Sequence, residues 1–380
     1  MRFSRRAFVT QVGLGSVGVF AGSFVAGRGR EALEAAAGSQ AGPPLGEPGI
    51  RLDSNENPNG PGAAALAALQ AALGEAPRYP HQPADALTDA IAKADGIRPQ
   101  NIVLGSGSGE VLRMAVLAFT SPTRPLVQGA PTFEHCERDA AVLGVRVVSV
   151  PVDQALRLDL GAMARASSGA GLVFLCNPNN PTGTVHTATA VSDFISQVLK
   201  SSPETTVLVD EAYHHYVGHP GYKTAMPIAL ENPRVVVCRT FSKIYGMAGL
   251  RIGYGVGRPE TISTLKRFKL ANSVNVLGAA AAIAGLEQKD HVEREAQINA
   301  RNRELLVSEL SKMGFKSAPS EANFVMVDIR RDAKEFQAAC RAKGVLVGRP
   351  FPPLLSQTRI SIGTEDEMRK AVSVFRSLLT

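Results

Sequence analysis

RTFSKIYGMAGLRIGYG, residues 239–255, is the stretch on which the reading of this chain turns. Its centre is Lys243, with Thr240 and Ser242 before it and Tyr245, Gly246, Gly249, Arg251 and Gly253 after it. The apolar run Pro233–Cys238 leading into it predicts a buried strand. A lysine at a strand end can form a Schiff base with an aldehyde cofactor. The hydroxyls of Thr240 and Ser242 and the planar fork of Arg251 suit that cofactor's phosphate. The glycines permit close approach of backbone to a ligand. Alone, such a lysine is more often a solvated residue in a glycine-rich turn. The motifs around it reverse that reading.

Upstream, Val207-Leu-Val-Asp-Glu-Ala-Tyr213 is an apolar strand ending in two acids and a phenol. A buried carboxylate is costly unless paired, so Asp210 needs a partner there. Glu211 reads as structural. Asn177-Pro-Asn-Asn-Pro-Thr-Gly183 follows the apolar strand Leu172–Cys176, at the carboxyl end where open α/β sheets bind ligands. Fully apolar strands of this kind predict a parallel sheet covered on both faces. Strand Asn101–Leu104 runs into Gly105-Ser-Gly-Ser-Gly-Glu110 at the start of a helix. Free N–H groups and the helix dipole make that turn an anion site, with Gly107, Ser108 and Gly109 as donors. A strand from Arg124 ends in a turn at Phe133, whose flat face suits ring stacking. Val145–Val150 reads as a further strand. Helices are expected over Gly62–Leu73, Ala86–Ala94, Val276–Lys289 and His291–Met313.

Together these motifs resemble the fold-type I, pyridoxal-phosphate-dependent aminotransferases of the class I/II group, and within it the histidinol-phosphate aminotransferases. The likeness runs from about residue 50 to the C-terminus. It implies an α/β fold: a large domain over roughly 76–270 with a mostly parallel seven-stranded sheet, and a small α+β domain joining roughly 44–75 with 271–380. It implies that Lys243 carries the cofactor as a Schiff base and, once freed, moves the substrate's Cα proton. Asp210 would pair the pyridinium nitrogen, Asn180 and Tyr213 the phenolic oxygen, and Phe133 would stack on the ring. Gly107, Ser108, Gly109, Thr240, Ser242 and Arg251 would hold the phosphate. Tyr79, in Arg78-Tyr79-Pro80, corresponds to a tyrosine that reaches the neighbouring subunit's cofactor, which implies a homodimer with shared sites. Arg359 corresponds to the arginine that grips the substrate's acid group. Arg349 is the second anion clamp, its spacing shifted by Gly348. Asn323 and Asn57 complete the substrate side. The implied reaction moves an amino group from an amino acid or a histidinol-phosphate-like amine to a 2-oxo acid, with 2-oxoglutarate expected. The same scaffold carries decarboxylases of the threonine-phosphate type, which are the alternative, and a non-catalytic binding protein is a third reading. Two positions depart from the family. Gly109 stands where an acid is usual, and Asn59 stands where a tyrosine often follows the Asn-Glu-Asn-Pro segment.

Length and composition agree with an enzyme of this size: 380 residues, 44% hydrophobic and 20% charged. The net charge is +7. Five arginines against two glutamates give residues 1–37 a net +3, leaving +4 for the rest. No basic run with interleaved aromatics points to nucleic acid. The four cysteines form no Cys-x-x-Cys pair, and His215 and His219 precede Pro220 and Gly221, so no metal is expected. Residues 1–37 read as a leader: Ser4-Arg5-Arg6-Ala7-Phe8-Val9 resembles the twin-arginine export motif, an apolar glycine-rich stretch follows, and Ala35-Ala36-Ala37 offers a cleavage site. Gly13-x-Gly15-x-x-Gly18 lacks a preceding strand and is not a dinucleotide site. Residues 38–49 read as a linker. Export through the twin-arginine route, Asn59 and the shifted Arg349 together argue for a donor other than histidinol phosphate, an aromatic or basic amino acid being expected.

Overall fold

The computed structural model describes residues 49–380. The leader and, except for Gly49, the linker lie outside the described residues. The described residues form one compact unit. Its strands are β1 (Ile50–Leu52), β2 (Ile102–Ser106), β3 (Leu126–Ala130), β4 (Val147–Pro151), β5 (Leu172–Cys176), β6 (Thr206–Asp210), β7 (Val235–Thr240), β8 (Ile252–Val256), β9 (Phe324–Asp328), β10 (Val345–Val347) and β11 (Gln357–Ser361). Seven of them form one sheet in the order β2-β8-β7-β6-β5-β3-β4. Strand β8 is antiparallel to both neighbours, and the other pairings are parallel.

Strict alternation of side chains across β5, β6 and β7 builds two apolar layers on this sheet. Leu172, Phe174, Cys176, Leu208, Val236 and Cys238 pack with Val111, Leu112 and Ala115 of helix Ser108–Phe119. Val173, Leu175, Val207, Val209, Val235 and Val237 pack on the opposite layer with Met163, Val191, Phe194 and Val198. All three strands are buried along their whole length. A strand covered on both faces leaves no place for a polar alternation, which is why its sequence is a continuous apolar run. Asp210 ends β6 in the phase of Leu208. It therefore emerges on the same layer as the helix that starts at Ser108.

A second core gathers Leu52, Leu306, Val325, Val327, Phe336, Val345, Ile360 and Phe375. It is held by two small sheets, β1 paired with β10 in parallel and β9 with β11 antiparallel. Helix Glu365–Leu379 closes it and begins with a capping box between Thr364 and Glu367. Packing divides the chain differently from the expected boundaries at 75 and 271. Ala65 of helix Ala63–Ala71 and Ala279, Ala281 and Ala282 of helix Val276–Glu287 share a core with Leu87, Ile91, Tyr245 and Met247. Small side chains let those two helices pack closely on each other, the second also against β8, and the second core resumes only at Leu306.

Candidate active site

Strand β7 ends at Thr240, and the chain then bends to set Lys243 at the carboxyl edge of the sheet. Lys243 Nζ donates to the main-chain oxygen of Asn55 at 3.0 Å and lies 5.6 Å from the centroid of the Tyr213 ring. Burial, aided by the Arg359 cation and opposed by Glu56 and Asp210, pushes the amine down to about 8. A lysine of that basicity is partly neutral near neutral pH and can act as a nucleophile.

Asp210 is 2% exposed and lies in register between Cys176 on β5 and Cys238 on β7. Its carboxylate accepts from the Ala212 N–H at 3.0 Å. Burial pushes its carboxyl up to about 7, with the Ala212 bond and the Lys243 charge working against it. Its neighbour Glu211 is structural. It accepts from Arg239 at 3.0 Å, and Arg239 also reaches Asp95 at 3.2 Å. That ion network ties the ends of β6 and β7 to helix His81–Asp95. Tyr254 adds a hydroxyl to Asp95 at 2.9 Å.

The expected anion site lies where helix Ser108–Phe119 meets Arg251. The helix has no side-chain cap, so its first N–H groups are free for an anion. Gly107 precedes it at φ +74°, and a Cβ there would collide with the Arg251 guanidinium. A Cβ on Gly253 would collide with the backbone of Ser108. Arg251 Nη1 donates to Ser242 Oγ at 3.3 Å and to the Ala248 carbonyl at 2.9 Å, and Thr240 Oγ1 donates to Ser242 Oγ at 3.0 Å. A Cβ on Gly109 would lie 3.0 Å from the His135 ring. The imidazole therefore occupies the space that an acid would need at position 109. Phe133 stacks on His135 with centroids 6.0 Å apart and planes 15° apart.

The substrate side is built by β11 and the N-terminal segment. Arg359 Nη1 donates to Asn180 Oδ1 at 2.6 Å and Nη2 to the Asp53 carbonyl at 2.7 Å. Its guanidinium lies over Phe324 and Phe351, and its Nε is buried without a partner. Burial pushes it down to about 10. Arg349 lies over Phe351 and is ion-paired to Glu134 at 2.6 Å. Asn323 Nδ2 donates to the carbonyls of Asn55 and Glu56 at 3.0 and 3.2 Å, and its Oδ1 is buried without a partner.

Asn57 differs from the expectation. Its Nδ2 donates to the Ile244 carbonyl at 3.0 Å and its Oδ1 accepts from the Asn59 N–H at 3.1 Å. With both ends of the amide held by main chain, it fixes the segment to the lysine's neighbour instead of offering a group to substrate. Asn59 donates to Glu295 at 2.7 Å. Tyr79 stands apart from these residues, 75% exposed. Asn55, which the sequence reading passed over, is 1% exposed and contacts Lys243, Tyr213, Ser361 and Asn323. Among the described residues no group of three or more His, Cys, Asp or Glu side chains could hold a metal.

Residues 47–375 match the model of the family described as aminotransferase class I and II. The chain belongs to that family. It is 39% identical over 334 residues to the histidinol-phosphate aminotransferase of Moorella thermoacetica, covering 87% of this chain and 85% of that one. The crystal structure of histidinol-phosphate aminotransferase from Sinorhizobium meliloti in complex with pyridoxal-5'-phosphate superposes with a TM-score of 0.81 at 29% identity, covering 99% of each chain. The L-threonine-O-3-phosphate decarboxylase of Porphyromonas gingivalis shares the fold, with a TM-score of 0.75, 21% identity, and 87% of this chain and 99% of that one covered. This chain is a pyridoxal-phosphate-dependent aminotransferase.

The residues of this aminotransferase fit the cofactor. Lys243 would offer an amine to its aldehyde, Asp210 a buried carboxylate to its ring nitrogen, and the uncapped start of helix Ser108–Phe119, which Gly107 and Gly253 let Arg251 and its strand approach, would hold its phosphate beside Ser242. When bound, the cofactor supplies the ring that takes up the electrons of the broken Cα–H bond. The chain's own groups would do the rest: Lys243 would hold and move the proton, Asp210 would pair the ring nitrogen, and Arg359, bonded to Asn180, would meet the substrate's acid group.

Proposed function

We propose that this aminotransferase takes its amino group from an aromatic or basic amino acid and passes it to a 2-oxo acid such as 2-oxoglutarate, after export through the twin-arginine route. The observation that carries the donor is the Arg349–Glu134 ion pair. Glu134 is shared by Arg349 and Arg138, so the second clamp's charge is already partnered, which weakens its hold on a phosphate dianion and favours a side chain without one. Asn59, tied to Glu295, removes a phenol from the same side. Histidinol phosphate is the second reading, favoured by the 39% identical relative of that name.

A spectral titration of the purified protein decides between them. Histidinol phosphate and aromatic, basic and acidic amino acids are added in turn while the cofactor band is followed. One free amino acid is expected to bleach the band, and 2-oxoglutarate to restore it. Turnover of histidinol phosphate far faster than any free amino acid would reject the donor proposed. Release of carbon dioxide would move the decarboxylase reading ahead.

We also propose a homodimer in which Tyr79 completes the partner's cofactor site. Leu73, Tyr79 and Leu270 are 55%, 75% and 61% exposed, apolar side chains that a partner subunit would cover. Sedimentation is expected to give a dimer, and Tyr79→Ala to retain cofactor less tightly. A cofactor-replete, active monomer would refute the assignment.

A further inference from the structure

Asn55 sits in the left-handed region at φ +54°, which asparagine tolerates better than most residues. Its backbone N–H donates to Ser361 Oγ at 2.8 Å. That bond uses an acceptor site of the hydroxyl and leaves its proton to donate to Asn55 Oδ1 at 2.9 Å. The amide is therefore locked in one orientation, with its oxygen toward Ser361 and its nitrogen away. Asn55 Nδ2 then donates to Tyr213 Oη at 3.2 Å. The phenol oxygen is an acceptor in this bond, so its own proton must point elsewhere. The main-chain oxygen of the same residue accepts from Lys243 Nζ.

We propose that Asn55 is a positioning residue that, together with Ser361, fixes the hydrogen-bond polarity of Tyr213, so that the phenol always presents its proton to the cofactor's phenolic oxygen. The relay is directional: Asn55 N–H to Ser361 Oγ–H, to Asn55 Oδ1, and from Asn55 Nδ2–H to Tyr213 Oη. An amide at position 55 can only donate to the phenol in this orientation. A carboxylate of the same shape can only accept, and would turn the phenol proton away from the cofactor. The charged groups around Tyr213 are Lys243, Arg359 and Asp210, and none of them replaces that donor. The inference rests on Lys243 and its cofactor, not on the identity of the amino donor.

Asn55→Asp tests it without changing side-chain volume. The readout is the pH midpoint at which the cofactor-bound enzyme changes colour. A phenol that donates to the cofactor's oxygen drains negative charge that otherwise holds the neighbouring nitrogen's proton. Losing that donor therefore raises the midpoint, by about one pH unit. Tyr213→Phe is expected to raise it in the same direction, and Asn55→Asp on top of Tyr213→Phe to add little. Asn55→Gly, which keeps the backbone angle and the Lys243 contact, is expected to shift it less than Asn55→Asp. Ser361→Ala frees the amide to flip; it gives a partial rise and carries the test if Asn55→Asp does not fold. In the cofactor-free protein labelled with fluorotyrosine, Asn55→Asp is expected to move the resonance that Tyr213→Phe removes from the six tyrosines. An unchanged midpoint in both Asn55→Asp and Ser361→Ala, or full additivity of Asn55→Asp with Tyr213→Phe, overturns the proposal.

Discussion

Asp210→Asn is expected to slow transamination by a hundred- to several-thousand-fold and, in the cofactor-free protein, to raise stability at pH 8. The two effects have one cause. Asp210 is buried between the in-register Cys176 and Cys238, with the Ala212 N–H as its hydrogen-bond donor. With the cofactor bound, the carboxylate would have a cationic ring nitrogen as partner. Breaking such a buried pair costs about 3–5 kcal/mol, and each 1.4 kcal/mol on the barrier is about tenfold in rate. Without the cofactor the carboxylate is a buried charge lacking that partner, and its pKa is raised from 3.8 to about 7. A carboxyl raised on folding contributes stability that is fully present below its unfolded pKa and lost as pH rises through the folded one. The window is therefore pH 4–7, and the loss by pH 8 is on the order of 4 kcal/mol. Asparagine does not titrate, so the cofactor-free variant should melt above the parent at pH 8 and close to it at pH 4. An equal melting difference at both pH values would show that the charge of Asp210 is not the cause.

Arg359→Ala is expected to lower kcat/KM by about 2–5 kcal/mol, tens- to thousands-fold, mainly through KM. The guanidinium is buried, bridges Asn180 and the Asp53 carbonyl, and keeps its Nε unpartnered. Removing it takes away the acid clamp and leaves two acceptors without a donor. Arg359→Lys should recover little, because a single ammonium on a flexible stem cannot reproduce the planar fork. Initial rates with varied donor check this, alongside the spectrum of bound cofactor, which the substitution should leave in place. A variant with unchanged KM for both donor and 2-oxo acid would remove Arg359 from substrate binding.

Much of the site was readable from the chain because each piece follows an apolar strand. The motifs at 105–110, 177–183, 207–213 and 239–255 lie at strand ends, and a sheet brings its carboxyl edges together. Asn55 was not readable. Nothing in Asn55-Glu-Asn57 distinguishes the residue that touches Lys243 from the one that pins the Ile244 carbonyl; only the fold separates them. The Arg349–Glu134 pair was hidden for a similar reason. Its partners are 215 positions apart in sequence and meet at 2.6 Å. Which core helices Ala63–Ala71 and Val276–Glu287 join was not readable, because alanine-rich helices carry weak packing signals and can serve either core.

The sequence by itself determined the family, its cofactor and the mostly parallel sheet, because these depend on residue types at short, fixed spacings. The tertiary structure alone decided the Asn55–Tyr213 contact, the carboxylate beside Arg349 and the burial that raises the proton affinity of Asp210. Each of these depends on burial and on which donor faces which acceptor, and those are set by elements far apart in the chain.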